Sequence, residues 1–399
     1  MKYKNFCHIT LTLLLGVALV FAITSCGDGA GGHGDPYVDG SGSGTAGNPF
    51  IVGSVASLQK VGSGIGGWTL SACYRQTKDI DLSSVPNWKP IGTLKITEGL
   101  PDYSEAFTGK YYTSDFSISN LTINRPADDL QGLFGVIYGP DAAVEYIKLI
   151  NVNISGKGGV GGVAGNNGGQ VRFCSVSGSV RGAGGVGGIV GNSGGLVEYC
   201  TSSANVIGAD INVGGIAGSN YDGDVRDCYF TGNVQGHAIV GGVVGRNDSG
   251  KVMNCYATGT VASDTYNSST ANGVGGIVGF NEDYDSVCGR VQFCVALNTE
   301  IIAGAGTPVT FIGRVVGAYT AVTEPYLNGN YARNSGMTIK YGGTTYIPVE
   351  TVNPSGNKDG ADASPAQYQD QTWWENLYFN ITGGFYWHWD PDKKLPVFM

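Results

Sequence analysis

Five recurring cysteines, a set of loop carboxylates and five glycine-rich phrases are the residues here whose types and spacing could do chemistry. Cys174, Cys200, Cys228, Cys255 and Cys294 each close a Val-x-x-Cys unit. A zinc site needs paired Cys-x₂₋₄-Cys or added His, and neither accompanies them. Free thiols packing as small apolar groups is the simpler reading. Cys288 and Cys294 are close enough in sequence for a disulfide to be the alternative. Asp222, Asp224, Asp248, Glu282, Asp283 and Asp285 are the candidate acids of a glycosidase or polysaccharide lyase. Such chemistry requires carboxylates gathered around one bond. Asp222-Gly-Asp224 and Glu282-Asp283-Tyr-Asp285 are also candidate calcium loops. The four histidines, His8, His33, His237 and His388, include no His-Glu-x-x-His, so the zinc-peptidase helix is missing from the sequence.

The glycine phrases match a dinucleotide fingerprint loosely, as in Gly159-Val-Gly-Gly-Val-Ala164. That fingerprint needs a strand, a helix and a placed acid around it. Here the string recurs instead: Val160-Gly-Gly-Val-Ala-Gly165, then equivalents from Val186, Val213, Val240 and Val274. A beat of roughly 27 residues over several copies marks a solenoid. The phrase is therefore a building unit, and no cofactor is assigned.

Each unit must place its residues on strands. After the cysteine the pattern alternates, as in Cys228-Tyr-Phe-Thr-Gly-Asn-Val234, which is the period of a half-buried strand. The Cys face is assigned inward and the Ser/Thr/Tyr face outward. Tyr229 and Tyr256 then share an outward column, a candidate platform for a sugar or protein ligand. Val171 and Cys174 cannot share a face on one straight strand, so a corner or bulge should separate them. The Gly pair should admit neighbouring backbone or turn a corner. Asn167, Asn220, Asn247 and Asn281, with Ser193, form a further column suited to left-handed turns and to bonding between coils.

The composition agrees. Gly is 67 of 399 residues without a three-residue period, which excludes collagen. Charged residues are only 14% and the net charge is −9. With no Lys/Arg cluster, nucleic acid is not an expected partner.

Ahead of the repeats, Lys2 and Lys4 precede an apolar run from Ile9 to Ile23, too short to span a bilayer and suited to a signal peptide over residues 1–25. Ile23-Thr-Ser-Cys26 resembles the lipobox of Bacteroidota lipoproteins. The resemblance implies cleavage before Cys26, its acylation (palmitate), and the membrane leaflet as a partner through that lipid. Only Asp28 supplies the acidic flank that surface-bound lipoproteins of this type often carry. Residues 26–47, rich in Gly, Ser and Asp, read as a flexible tether.

The folded part is expected from Asn48. Asp79-Ile-Asp-Leu82, Trp88-Lys-Pro-Ile-Gly92, Phe107-Thr-Gly109, Ile118-Ser-Asn-Leu-Thr-Ile123 and Gly132-Leu-Phe-Gly135, followed by the Val-Gly-Gly phrases, resemble proteins carrying the GLUG motif. These are secreted or surface bacterial proteins, and the motif also occurs in the non-catalytic part of IgA-specific metallopeptidases. The resemblance implies an all-β, right-handed parallel β-helix or β-solenoid and an adhesion-like role without chemistry. Lys110-Tyr-Tyr-Thr-Ser-Asp115 departs from the pattern that often follows Phe-Thr-Gly, so that turn should be built differently. Residues 48–150 are expected as irregular coils and 151–325 as the solenoid, with a longer insertion around Ser263 to Asn272. Residues 326–399, dense in aromatics, should contain a cap over the exposed end of the core. The resulting expectation is a lipid-anchored outer-membrane protein of adhesion or scaffold type. The alternative is a carbohydrate-binding or polysaccharide-cleaving β-helix.

Overall fold

The structure, a computed structural model, describes residues 37–264, 272–283, 289–320, 326–342, 344–345, 357–384 and 386–398. Glycine, valine and alternating polar residues make short strands, and the strands of successive repeats pair in parallel to build a β-helix. Each coil contributes to three faces.

The third face is the Val-Gly-Gly segment. Val160, Val186, Val213, Val240, Val274 and Ile312 lie in register along it. The first face holds the rest of the phrase and the Val-x-x-Cys valine, with Val144, Val171, Val197, Val225, Val252, Val291 and Leu327 in one column. The second face begins at the cysteine and aligns Ile123, Ile154, Val180, Val206, Val234, Val261, Ile301 and Ile339. These apolar columns face inward and form one continuous core from Phe50 to Ile339. Stacking identical residues at the strand-to-strand spacing of about 4.8 Å lets one short sequence bury itself many times over.

Glycine in the phrase serves close approach. A Cβ on Gly241 would lie 1.9 Å from the Val244 carbonyl oxygen, and one on Gly187 2.1 Å from that of Val190. The corner between Val and Cys is a left-handed residue: Tyr146, Phe173, Tyr199, Asp227, Asn254 and Phe293 all have φ between 50° and 61°. Asn120, between the strands Ser117–Ser119 and Thr122–Asn124, also has positive φ, at 59°.

Two expectations are corrected. The tether expected over 26–47 is folded from Tyr37 onward. Gly40 donates its N–H to Ile51, and Asp39 accepts from Gly53 and from Ser54. Gly42 and Gly44, with φ of 103° and 75°, provide close packing against Pro49 and Phe50 where composition suggested flexibility. Asp39 also supports the capping box of helix α1, Val55–Lys60, whose Leu58 enters the core.

The aromatic C-terminal region is the second correction. It covers the outward side of the second face, not the end of the core. Ala361–Ala363 pairs with Tyr331–Arg333 to finish the second face. Arg314 ties this turn to the preceding coil through Asp362 at 2.6 Å and the Gly360 carbonyl at 3.0 Å. Helices α2, Pro365–Tyr368, and α3, Gln371–Glu375, and the hairpin Trp387–Asp390/Leu395–Phe398 then fold back. Trp374, Leu377, Phe379, Ile381 and Trp387 build a second core against Tyr256, Val295 and Leu297.

Candidate functional site

The column cysteines are structural. All five are fully buried. Each Sγ points at the carbonyl two residues earlier, from 3.1 Å in Cys228 and Cys255 to 3.3 Å in Cys200 and Cys294. Burial pushes the thiols of Cys174, Cys228 and Cys294 up. Cys294 is a free thiol in this column, so it is not paired with Cys288, which lies outside the described residues. Asn330 takes the cysteine's place in the next coil: its Oδ1 accepts from the Cys294 N–H at 3.0 Å. Cys26, Asp285 and most of the insertion around Ser263–Asn272 also lie outside the described residues.

The asparagine column is a buried ladder. Asn220 donates to Asn247 at 2.8 Å and Asn247 to Asn281 at 2.7 Å. The same amides bond the turn carbonyls of Gly223, Gly250 and Gly289 at 2.9 Å. Asn167 bonds Ser193 at 3.2 Å. The bonding between coils is as expected, but the left-handed φ is not on these residues. It falls two residues later, at Asp222 and Ser249.

Of the loop carboxylates only Asp248 and Glu282 meet, in register on neighbouring coils. Asp224 pairs with Lys251 at 3.0 Å, one coil away. Asp248 and Glu282 both pair with Arg246. Asp283 accepts from the Gly289 N–H at 3.0 Å. Among the described residues no group of three His, Cys, Asp or Glu could hold a metal ion.

Tyr229 and Tyr256 do stack outward, with ring centroids 5.0 Å apart and planes at 3°. They are not an exposed platform. Tyr256 is 1% exposed, covered by Trp374 and Trp387, and its hydroxyl donates to the Pro396 carbonyl. The covering residues come more than a hundred positions later, so the local alternation could not reveal them. Asp227, beneath this cover, accepts from Trp387 Nε1 at 3.4 Å and from Asn254 at 3.3 Å. Burial raises its pKa to about 7.

The open site lies beside the cover. Tyr146, Phe173 and Tyr199 stack at 4.6 and 5.1 Å, nearly parallel. Tyr386 leans over the latter two at 4.7 and 4.5 Å. Lys148, Ser175 and Thr201, in register on the second face, form the floor. The cleft so formed has a volume of about 540 Å³, with Asp115 at its far end. A second groove of about 640 Å³ continues from the same floor, past Ser177, Ser203 and Thr231, along the hairpin residues Leu395 and Val397.

The GLUG motif matches residues 209–235 and 236–262. The chain carries the GLUG motif. Each matched copy is one full coil, so the motif describes a structural turn. Halomucin of Haloquadratum walsbyi is 35% identical over 109 residues, which is 27% of this chain and 1% of that protein. The chain thus spans a very small part of that relative. The crystal structure of a proposed immunoglobulin A1 protease from Bacteroides ovatus superposes with a TM-score of 0.57 over 90% of this chain and 95% of that one, at 17% identity. That likeness concerns the fold alone.

Against the GLUG coils, the signal missed in the sequence is plain. The residue before each column cysteine, or its equivalent, is aromatic in three successive coils: Tyr146, Phe173 and Tyr199. That position is the left-handed corner, where Gly, Asn and Asp are at home and a bulky side chain is strained. The next two coils revert to Asp227 and Asn254.

Proposed function

We propose that this chain is a lipid-anchored, cell-surface binding protein of adhesion or scaffold type that performs no catalysis. The observation that carries the non-catalytic reading is the fate of the acids. Asp224 is held by Lys251, and Asp248 and Glu282, neighbours in paired strands, share the Arg246 guanidinium, so each is engaged in an ion pair and none is left as a free acid or base. The lipid anchor rests on Ile23-Thr-Ser-Cys26 behind an apolar segment. The envelope location rests on that anchor and on the GLUG coils, a motif of secreted and surface proteins. A long, stable scaffold with a lipid at one end can present its outward faces away from a membrane.

Metabolic labelling with a palmitate analogue, followed by protease shaving of intact cells, tests the reading. Labelled, shaved protein that becomes unlabelled and soluble in Cys26→Ala is the expected result. A protein protected in intact cells, or labelled equally in the variant, would overturn it.

A further inference from the structure

Resting on that binding role, we propose that the cleft between Tyr146 and Tyr386 binds a neutral oligosaccharide. The corner is strained. Three consecutive aromatic residues hold φ of 61°, 55° and 52°, where the backbone prefers Gly, Asn or Asp. Strain of roughly 1–3 kcal/mol per such residue persists only where something offsets it. Stacking and Tyr386 repay Phe173 and Tyr199 directly. Tyr146 lies outside the contacts of Tyr386, stacks on Phe173 alone and remains 46% exposed.

The chemistry around that ring suits a sugar. Lys148 pairs in register with Ser117 below and Ser175 above, which puts Asp115 one coil beneath Tyr146 in the corner column. One face of Tyr146 is taken by Phe173, and the other looks toward Asp115, which lines the same cleft. The C–H face of a pyranose is weakly positive and fits the negative face of an aromatic ring. A carboxylate beside the ring can accept the sugar's hydroxyl protons.

The floor completes the site. The side chains of Lys148, Ser175 and Thr201 have no hydrogen bond or ion pair to any described residue, although they share one cleft. Their hydroxyls and ammonium recur once per coil, a ladder of about 4.8 Å that suits the successive units of an extended sugar chain. Lys148 faces the carboxylate of Asp79 as well as that of Asp115, so the site has no excess of positive charge, and the chain as a whole carries −9. Both facts favour a neutral sugar over a polyanion such as a uronate.

Calorimetric titration of the full-length chain in detergent, with neutral hexasaccharides of glucose, xylose, mannose and galactose and with hexagalacturonate, tests the site. At least one neutral hexasaccharide should bind. Tyr146→Asn removes the ring but keeps a residue suited to the left-handed corner, so the fold is spared. It should weaken binding tenfold or more with a melting temperature unchanged or raised, since the strain at the corner is relieved. Thr201→Val should weaken it about five- to tenfold, the effect of one lost hydrogen bond. Tyr138→Ala, in the separate Tyr103–Tyr138 stack, should leave affinity unchanged. Binding of no neutral hexasaccharide, preference for hexagalacturonate, or full affinity in Tyr146→Asn would each overturn the proposal. Surface display and acylation, measured on cells, are untouched by these outcomes, so this site can fail while the binding-protein reading stands.

Discussion

The hydroxyl of Tyr256 donates to the carbonyl oxygen of Pro396 at 2.6 Å, across 140 positions of sequence. This bond joins the solenoid's outward aromatic column to the hairpin that covers it. Tyr256→Phe keeps the packing and leaves the buried Pro396 carbonyl without this donor. A loss of about 1–2 kcal/mol is expected. Trp387→Ala removes a ring buried against Tyr256, Phe379 and Phe398 and should cost roughly 3–5 kcal/mol. Denaturant midpoints, with tryptic cleavage at Lys393 and Lys394, measure both. A hairpin as protease-resistant in Trp387→Ala as in the parent would show that this core does not hold it.

Asp227 gives the same interface a pH dependence. Burial raises its carboxyl from 3.8 to about 7, while Asn254 and Trp387 bond it and Glu198, Arg226 and Cys255 carry the nearby charges or thiol. The raised pKa means that the folded state binds the proton more tightly than the unfolded state. Stability contributed by this group is therefore full below about pH 4 and falls as pH rises toward 7, by up to roughly 4 kcal/mol. Asp227→Asn should be the more stable form at pH 8 and should flatten that slope. Melting curves from pH 4.5 to 8 decide it, and parallel profiles for the two proteins would refute the assignment.

Asn247 stands in the middle of the buried amide ladder. It accepts from Asn220 and donates to Asn281 and Gly250. Asn247→Ala leaves Asn281 Oδ1 and the Gly250 carbonyl without this donor in a dry column, so a loss of roughly 2–4 kcal/mol is expected. Asn167→Ala, at the ladder's start and with Ser193 as its side-chain neighbour, should cost less. Chemical denaturation of the pair tests the order. Equal losses would mean that the ladder bonds carry little of the effect.

How much of this was legible follows from what is local. The Val, Cys and Asn columns were readable because each coil buries the same positions, and period and register are then one fact. Inward and outward at Cys228-Tyr229-Phe230 were readable from alternation. The burial of Tyr256 was not, because Trp374, Trp387 and Pro396 reach it only through the folded-back C-terminus. The order at Gly42 and Gly44 was hidden because composition does not distinguish a glycine kept for flexibility from one kept for contact. The aromatic run Tyr146, Phe173 and Tyr199 was visible as letters. Its meaning required knowing that the position before the cysteine column is the left-handed corner.

The glycine phrase makes the last prediction the strictest. At Gly241 a Cβ would sit 1.9 Å from Val244 O, 2.7 Å from Gly279 N and 2.8 Å from Ile277 O. All three are backbone atoms of this coil or the next, so no side chain can rotate away. The coil would have to open, and the ladder bond from Gly242 N–H to Gly275 O at 3.2 Å lies beside it. Gly241→Ala should therefore cost about 3 kcal/mol or more, against a usual penalty nearer 1 for overpacking at a yielding site. Gly47→Ala, where a Cβ meets nothing within 4 Å, should change stability by less than about 0.5 kcal/mol. Comparing the two by thermal melting separates contact from composition. A mild Gly241→Ala would mean that the coils can slide apart, and the phrase would then lose its role as the spacer that sets their approach.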